Sequence, residues 1–230
     1  MKSSFSEIPF EAFLTFNGSY CFDRNGEVLF SQPIRPADAR RVIENATNLG
    51  KPICAATTNQ MVANGSEPDL DTYFAFGGFD VPISADFQGI VESEPVFQLM
   101  CAAQEPEYAD LTRGAAGVKI MAWWERAVDI IPATSGKDLG VKAILAALGL
   151  EPEQAMAFGD GHNDIEMLRA VGWGVAMGNG RDEVKAAADD VAPSVADEGI
   201  DWYLRENHLI RTALQSDKPG GFSCQCAYSK

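Results

Sequence analysis

Nowhere does the sequence run to the ~20 consecutive apolar residues that a membrane-spanning helix needs, so neither a helical membrane protein nor a membrane partner is expected. Positive charge is scarce. Lys and Arg number 18 against 33 Asp and Glu, a formal net charge of −15, and a nucleic-acid surface would want a basic stripe. No nucleic acid is expected as a partner, and solubility alone accounts for such a charge. The five cysteines, Cys21, Cys54, Cys101, Cys224 and Cys226, are odd in number and lack zinc spacing, and Cys224 and Cys226 stand too close together for a usual zinc knuckle. Internal repeats are absent, and Met1 to Pro9 is polar and mixed, without a signal-peptide pattern. A reduced cytoplasmic protein is the expectation. Against these absences stand 230 residues, 46% of them hydrophobic, which is material for one large domain or two modest ones.

The chain divides by texture. Phe13 to Phe16 is a short apolar run, and Tyr20 and Phe22 then face Val28 and Phe30 around Asn25-Gly26, a strong hairpin signal. Ala39, Val42, Ile43, Ala46 and Leu49 share one helical face between Pro36 and Gly50, and a strand-like run follows through Thr57. Residues 58 to 115 are less regular. Val118 to Trp124 and Ala127 to Ile131 read as two strands. From Ser135 onward helix and strand alternate: a helix with Val141, Ile144, Leu145 and Leu148 on one face, strands near 155 and at Trp173 to Met177, and helices near 164, 182 to 189 and 200 to 206. Such alternation implies a parallel sheet covered by helices. The tail from Arg211 is mostly polar and is expected to be poorly ordered.

One short turn concentrates chemistry. In "AMAFGDGHNDIEMLRAVG", residues 155 to 172, an apolar run feeds a turn with Asp160 between Gly159 and Gly161 and with Asn163 and Asp164 just after. Ligands of open parallel α/β sheets bind beyond the carboxyl ends of the strands. The glycines permit close approach of a ligand, and clustered carboxylates suit Mg²⁺, which takes one or two of them and keeps several waters. Asn163 stands at the start of a helix, where backbone N–H groups favour an anion. Helix capping explains one such residue, not the whole cluster. Lys137 in "ATSGKDLG" opens a helix, with Ser135 a plausible N-cap. A cation at that end invites an anionic partner, although a solvated surface lysine is the commoner explanation of one taken alone.

These segments carry a resemblance. "GDGHNDIEML" followed by "VGWGVAMGNGRDEVKAAADDVAPSVADEGI" resembles the C-terminal core of the haloacid dehalogenase (HAD) superfamily, and more narrowly its Cof-type sugar-phosphate phosphatases, whose fourth motif is a GDxxND turn. "SGKDLGVKAILAALGL" resembles their third motif, a lysine opening a helix 23 residues before the metal aspartate, as Lys137 stands before Asp160. "FLTFNGSYCFDRNGEVLF" resembles the end of their third core strand entering the cap, with Asn17-Gly18 at the boundary. The resemblance covers residues of about 10 to 206. It implies an α/β fold: a HAD-type, Rossmann-like parallel sheet core with an inserted α/β cap domain. Residues 1–19 would belong to the core, 20–128 to the cap and 129–210 to the C-terminal part of the core, with 211–230 a tail. It further implies a Mg²⁺ cofactor held by Asp160 and Asp164, with Lys137 and Asp164 as catalytic residues. Asn163, Lys137, Asn17 and Gly18 would bind phosphate. The implied reaction is hydrolysis of a small phosphorylated metabolite, sugar phosphates first.

The family's chemistry begins with an aspartate nucleophile in a DxDGT motif on the first strand, and a serine or threonine on the second strand holds the phosphate. Both would stand before Met1. "FDRNG" (Phe22 to Gly26) mimics the motif but reads as a hairpin turn, and "DLDTY" (Asp69 to Tyr73) follows "NGSEP" instead of an apolar strand. The sheet would then have a gap between the strands at 13–16 and 155–158, with exposed edges. Three accounts compete: a chain that lacks its first segment, which is the expectation and would leave it inactive alone; a truncated, non-catalytic phosphate-ligand binder or regulator; and a core completed by another chain.

Overall fold

The computed structural model describes residues 10–210. Cys224, Cys226, Met1 to Pro9 and the tail from Arg211 lie outside the described residues. Strands β1 (Ala12–Thr15), β2 (Tyr20–Asp23) and β3 (Val28–Ser31) form an antiparallel sheet in the order β1-β2-β3. Phe13 pairs with Phe22, and Phe22 with Val28. Gly26 takes a φ of +88° in the turn, and the Asp23 carboxylate accepts the N–H groups of Asn25 at 2.8 Å and Glu27 at 2.7 Å. The aspartate of "FDRNG" is thus spent on its own hairpin.

A larger unit follows, with α1 (Pro36–Asn48), β4 (Ile53–Ala56), β5 (Met61–Ala63), α2 (Pro68–Phe76), α3 (Phe87–Ser93), β6 (Gln98–Cys101), α4 (Tyr108–Leu111), β7 (Val118–Met121) and β8 (Val128–Pro132). Its five strands pair antiparallel in the order β5-β4-β6-β8-β7. Successive side chains of a strand point to opposite faces. Ile53 and Ala55 meet Val42 and Ala46 of α1 on one face, while Cys54 and Ala56 meet Leu70, Tyr73 and Phe74 of α2 on the other. Both faces are covered, so β4 reads as an unbroken apolar run. Asp69 sits in the first turn of α2, which Glu67 caps by accepting from the Leu70 N–H at 2.9 Å. It pairs with Arg126 at 2.9 Å, so "DLDTY" is helical.

The remaining elements are α5 (Lys137–Leu148), β9 (Met156–Gly159), α6 (Ile165–Arg169), β10 (Trp173–Met177), α7 (Asp182–Lys185), β11 (Asp190–Ala192) and α8 (Gly199–Glu206). Strands β11-β10-β9 form a parallel sheet packed by helices, and the fold is α/β. The helix expected over 182 to 189 ends at Lys185. Ser135 does not cap α5: its hydroxyl donates to the Pro132 carbonyl at 2.8 Å, and Gly136 holds the cap position. Among the described residues no helix is long and apolar enough to cross a membrane.

The sheets do not end where the expected division at residues 20 and 128 falls. Strand β8 begins at Val128, runs past the expected boundary, and pairs with β6 and β7. The hairpin of β2 and β3 packs against α5 instead of joining the five-stranded sheet. Strands β1 and β9, placed by the resemblance in one sheet, stand at the edges of two separate sheets among the described residues. Helix α5 spans between them, in contact with β1, β2, β3 and α6.

Gly18 locks β1 to α5. Its φ is +87°, and a Cβ there would lie 2.1 Å from the Gly136 carbonyl oxygen and 2.8 Å from the Lys137 nitrogen. Gly18→Ala is expected to lower unfolding free energy by about 2 to 4 kcal/mol through strain and overpacking, measured by urea denaturation. A loss below about 0.5 kcal/mol would contradict this close approach.

Candidate functional site

The turn after β9 is built around Asp164. Its Oδ2 accepts the N–H of Asp160 at 3.1 Å and of Gly161 at 2.9 Å, and its Oδ1 accepts from Lys137 Nζ at 2.5 Å. Both side chains are nearly buried, at 11% exposure for Lys137 and 9% for Asp164. Gly159 is required by this fold-back, because a Cβ there would lie 2.5 Å from the Asp164 Cβ. The lysine that opens α5 and the turn that opens α6 are therefore joined by a buried charge pair, 27 residues apart in sequence.

Asp160 stands beside them at the strand end. Its Oδ2 accepts from Asn179 Nδ2 at 2.8 Å, and Asn179 Oδ1 accepts the Val195 N–H at 2.9 Å. Among the described residues no group of three His, Cys, Asp or Glu side chains gathers to hold a cation. Asp164, expected as a second metal ligand, accepts from three protein donors: Lys137 and the N–H groups of Asp160 and Gly161. One carboxylate with a neighbouring amide at an open strand end still fits a hard cation that keeps most of its waters.

A second network, which sequence reasoning missed, joins this turn to the five-stranded sheet. Asn163 Nδ2 donates to Asn17 Oδ1 at 2.9 Å. Asn17 Nδ2 donates in turn to Asp129 Oδ2 at 2.7 Å and Gln98 Oε1 at 3.0 Å. The other Asp129 oxygen accepts from the Tyr73 hydroxyl at 2.6 Å, and that hydroxyl accepts from Trp123 Nε1 at 2.7 Å. Asn17 is held at a φ of +52°, which asparagine tolerates better than most residues. With its amide spent on three side chains, Asn17 positions its neighbours; Gly18, one residue on, is buried against Gly136. The available signal for Asp129 was a single charge inside the apolar run "AVDIIP".

Burial pushes the Asp129 carboxyl up from 3.8 to about 6, with the donors Tyr73 and Asn17 and the Lys137 charge pulling the other way. Burial, and then the Asp129 charge, also raises the Tyr73 phenol. Asp129, Asn17, Lys137 and Asn163 line one cavity of about 290 Å³ between β1, α2 and the five-stranded sheet.

Two outcomes follow from this geometry. Asp164→Ala leaves Lys137 buried without its partner and is expected to cost about 3 to 5 kcal/mol, read by denaturant unfolding. A cost near zero would show the pair to be dispensable. For Asp129, a folded pKa above the unfolded one gives stability that is complete below pH 3.8 and lost as pH rises through about 6. The loss amounts to about 3 kcal/mol. Unfolding measured from pH 3.5 to 7.5 should show this fall in the native chain relative to Asp129→Asn; parallel profiles would contradict it.

Comparison with known proteins gives the family. Residues 1–204 match the family model of haloacid dehalogenase-like hydrolases. YkrA of Bacillus subtilis (strain 168), whose name proposes a phosphatase, is 28% identical over 215 residues, covering 92% of this chain and 81% of that protein. The HMP-PP phosphatase of Citrobacter koseri is 29% identical over 189 residues, 78% of this chain and 67% of its own. The solved structure of a HAD subclass IIB sugar phosphatase superimposes with a TM-score of 0.81 at 26% identity, covering 91% of this chain and 82% of that one.

Proposed function

The chain belongs to the haloacid dehalogenase-like hydrolases, and on that premise we propose that it serves the Mg²⁺-dependent hydrolysis of small phosphate monoesters to alcohol and phosphate. Sugar phosphates, the class named for one similar structure, are the starting expectation for its substrates. The observation that carries this reading is the buried Lys137–Asp164 pair at the end of β9, with Asp160 and Asn163 beside it. Lys137 offers two further N–H donors toward an anion, and Asn163 offers its second amide N–H. Asp160, backed by Asn179, would hold Mg²⁺, which when bound offsets charge on the transferring phosphoryl group. The turn and the lysine then orient the phosphate and stabilise its developing charge, the dominant protein contribution in phosphoryl transfer. Residues 33 to 132 would act as the cap over the cavity, with Asn17 as its contact to the core.

Asp129 is the one carboxylate among the described residues lining the cavity, and Tyr73 and Asn17 occupy it. The attacking aspartate of the family mechanism would accordingly come from outside residues 10–210. This same observation favours a second reading, a phosphate-ligand binder without turnover.

Calorimetry tests the proposal. Inorganic phosphate binding should weaken about tenfold or more in Lys137→Ala, as expected for one lost charge-assisted contact. Mg²⁺ binding should weaken in Asp160→Asn, and equal affinities in native and variant chains would overturn the assignments. Residues 1–230 alone should hydrolyse p-nitrophenyl phosphate with Mg²⁺ no faster than background. Turnover restored by an added DxDGT-bearing segment supports the hydrolase, and phosphate binding that stays unproductive supports the second reading.

A further inference from the structure

The cavity lining mixes two chemistries. Lys137 and Asn163 belong to it, and so do the apolar side chains Met61, Phe74, Phe76, Phe79, Met100 and Trp123. Phe76 and Phe79 remain about half exposed, at 52% and 51%, although such rings are ordinarily covered. Trp123 stacks on Tyr73 with ring centroids 4.8 Å apart, and Phe76 meets Trp123 edge-on at 5.9 Å. The indole plane is thereby fixed, and its N–H is consumed by the Tyr73 hydroxyl. Polar groups of the lining serve one another: Tyr73 donates to Asp129, and Asn17 donates to Asp129 and Gln98.

A polyhydroxylated sugar seated against these rings would surrender water from several hydroxyls and meet mostly carbon. Each hydroxyl buried without a partner costs about 1 to 3 kcal/mol. A flat apolar ring loses nothing comparable, and it gains face and edge contacts with the fixed aromatic groups. We infer that the phosphate monoester taken by this site carries a flat, mainly apolar ring as its alcohol portion, seated against Trp123 and Phe76. The inference rests on the phosphate-site reading above and narrows it away from sugars. Trp123 is a specificity residue in this arrangement. Tyr73 and Asp129 are positioning residues that hold its plane.

The test is calorimetric titration of the 230-residue chain with Mg²⁺, using inorganic phosphate, glucose 6-phosphate and phenyl phosphate as probes. Phenyl phosphate is expected to bind about tenfold more tightly than glucose 6-phosphate. Trp123→Ala should bring that ratio toward one, and Trp123→Phe, which keeps a ring in place, should retain most of it. Glucose 6-phosphate binding as tightly as phenyl phosphate, while inorganic phosphate still binds, overturns the ring inference and leaves the phosphate site standing. A preference that survives Trp123→Ala overturns the assignment of Trp123. Failure of all three probes to bind overturns the phosphate site and this inference with it.

Discussion

The pairing of Lys137 with Asp164 is the contact on which the rest of the site depends. A buried ammonium is costly unless an opposite charge stands beside it. Asp164 meets that condition while also gathering the N–H groups of Asp160 and Gly161. One side chain thus fixes the shape of the turn, the direction of the lysine and the angle at which α5 meets α6. Gly159 and Gly18 belong to the same constraint. Each is placed where a Cβ would collide, with Asp164 in one case and with Gly136 in the other. The closeness that gives the pair its strength leaves no room for side chains there.

The second constraint is the relay from Asn163 through Asn17 to Asp129. It joins the turn to the five-stranded sheet by hydrogen bonds between side chains 146 and 112 residues apart. An apolar contact at that position would hold the two units together without fixing their register. Directional donors and a carboxylate fix it, and Asp129 is kept in that role at the cost of a raised pKa. Belonging to the cavity wall, the same group ties the aromatic platform of Tyr73 and Trp123, through Asn17, to Asn163. Recognition of the two halves of a substrate would therefore be mechanically coupled.

Much of the fold is legible in the chain because its signals are local. The hairpin at Asn25-Gly26, the stripe on α1, the strand at Trp173–Met177 and the alternation after Ser135 each follow from a turn residue or a period within one element. Residues 58 to 115 resist such reading. There α2 and α3 are short, and β5 has three residues, so no window is long enough to establish a period. The strand β4 hides its alternation because helices cover both faces. Ser135 looks like a cap by its type and place, yet its hydroxyl is drawn to the Pro132 carbonyl.

The site divides in the same way. The family and the position of the turn can be read from the string, because Asp160, Asn163 and Asp164 lie within five residues and Lys137 at a fixed spacing before them. Motifs of that kind survive as strings, since backbone geometry alone brings their side chains together. Folding had to show that Asp164 pairs with Lys137, that Asn17 bonds to Asp129, and that aromatic rings from α2 and the segment after β7 pack together. Those relations join residues dozens of positions apart, and the burial that gives Asp129 its character exists only once the sheet is packed on both faces.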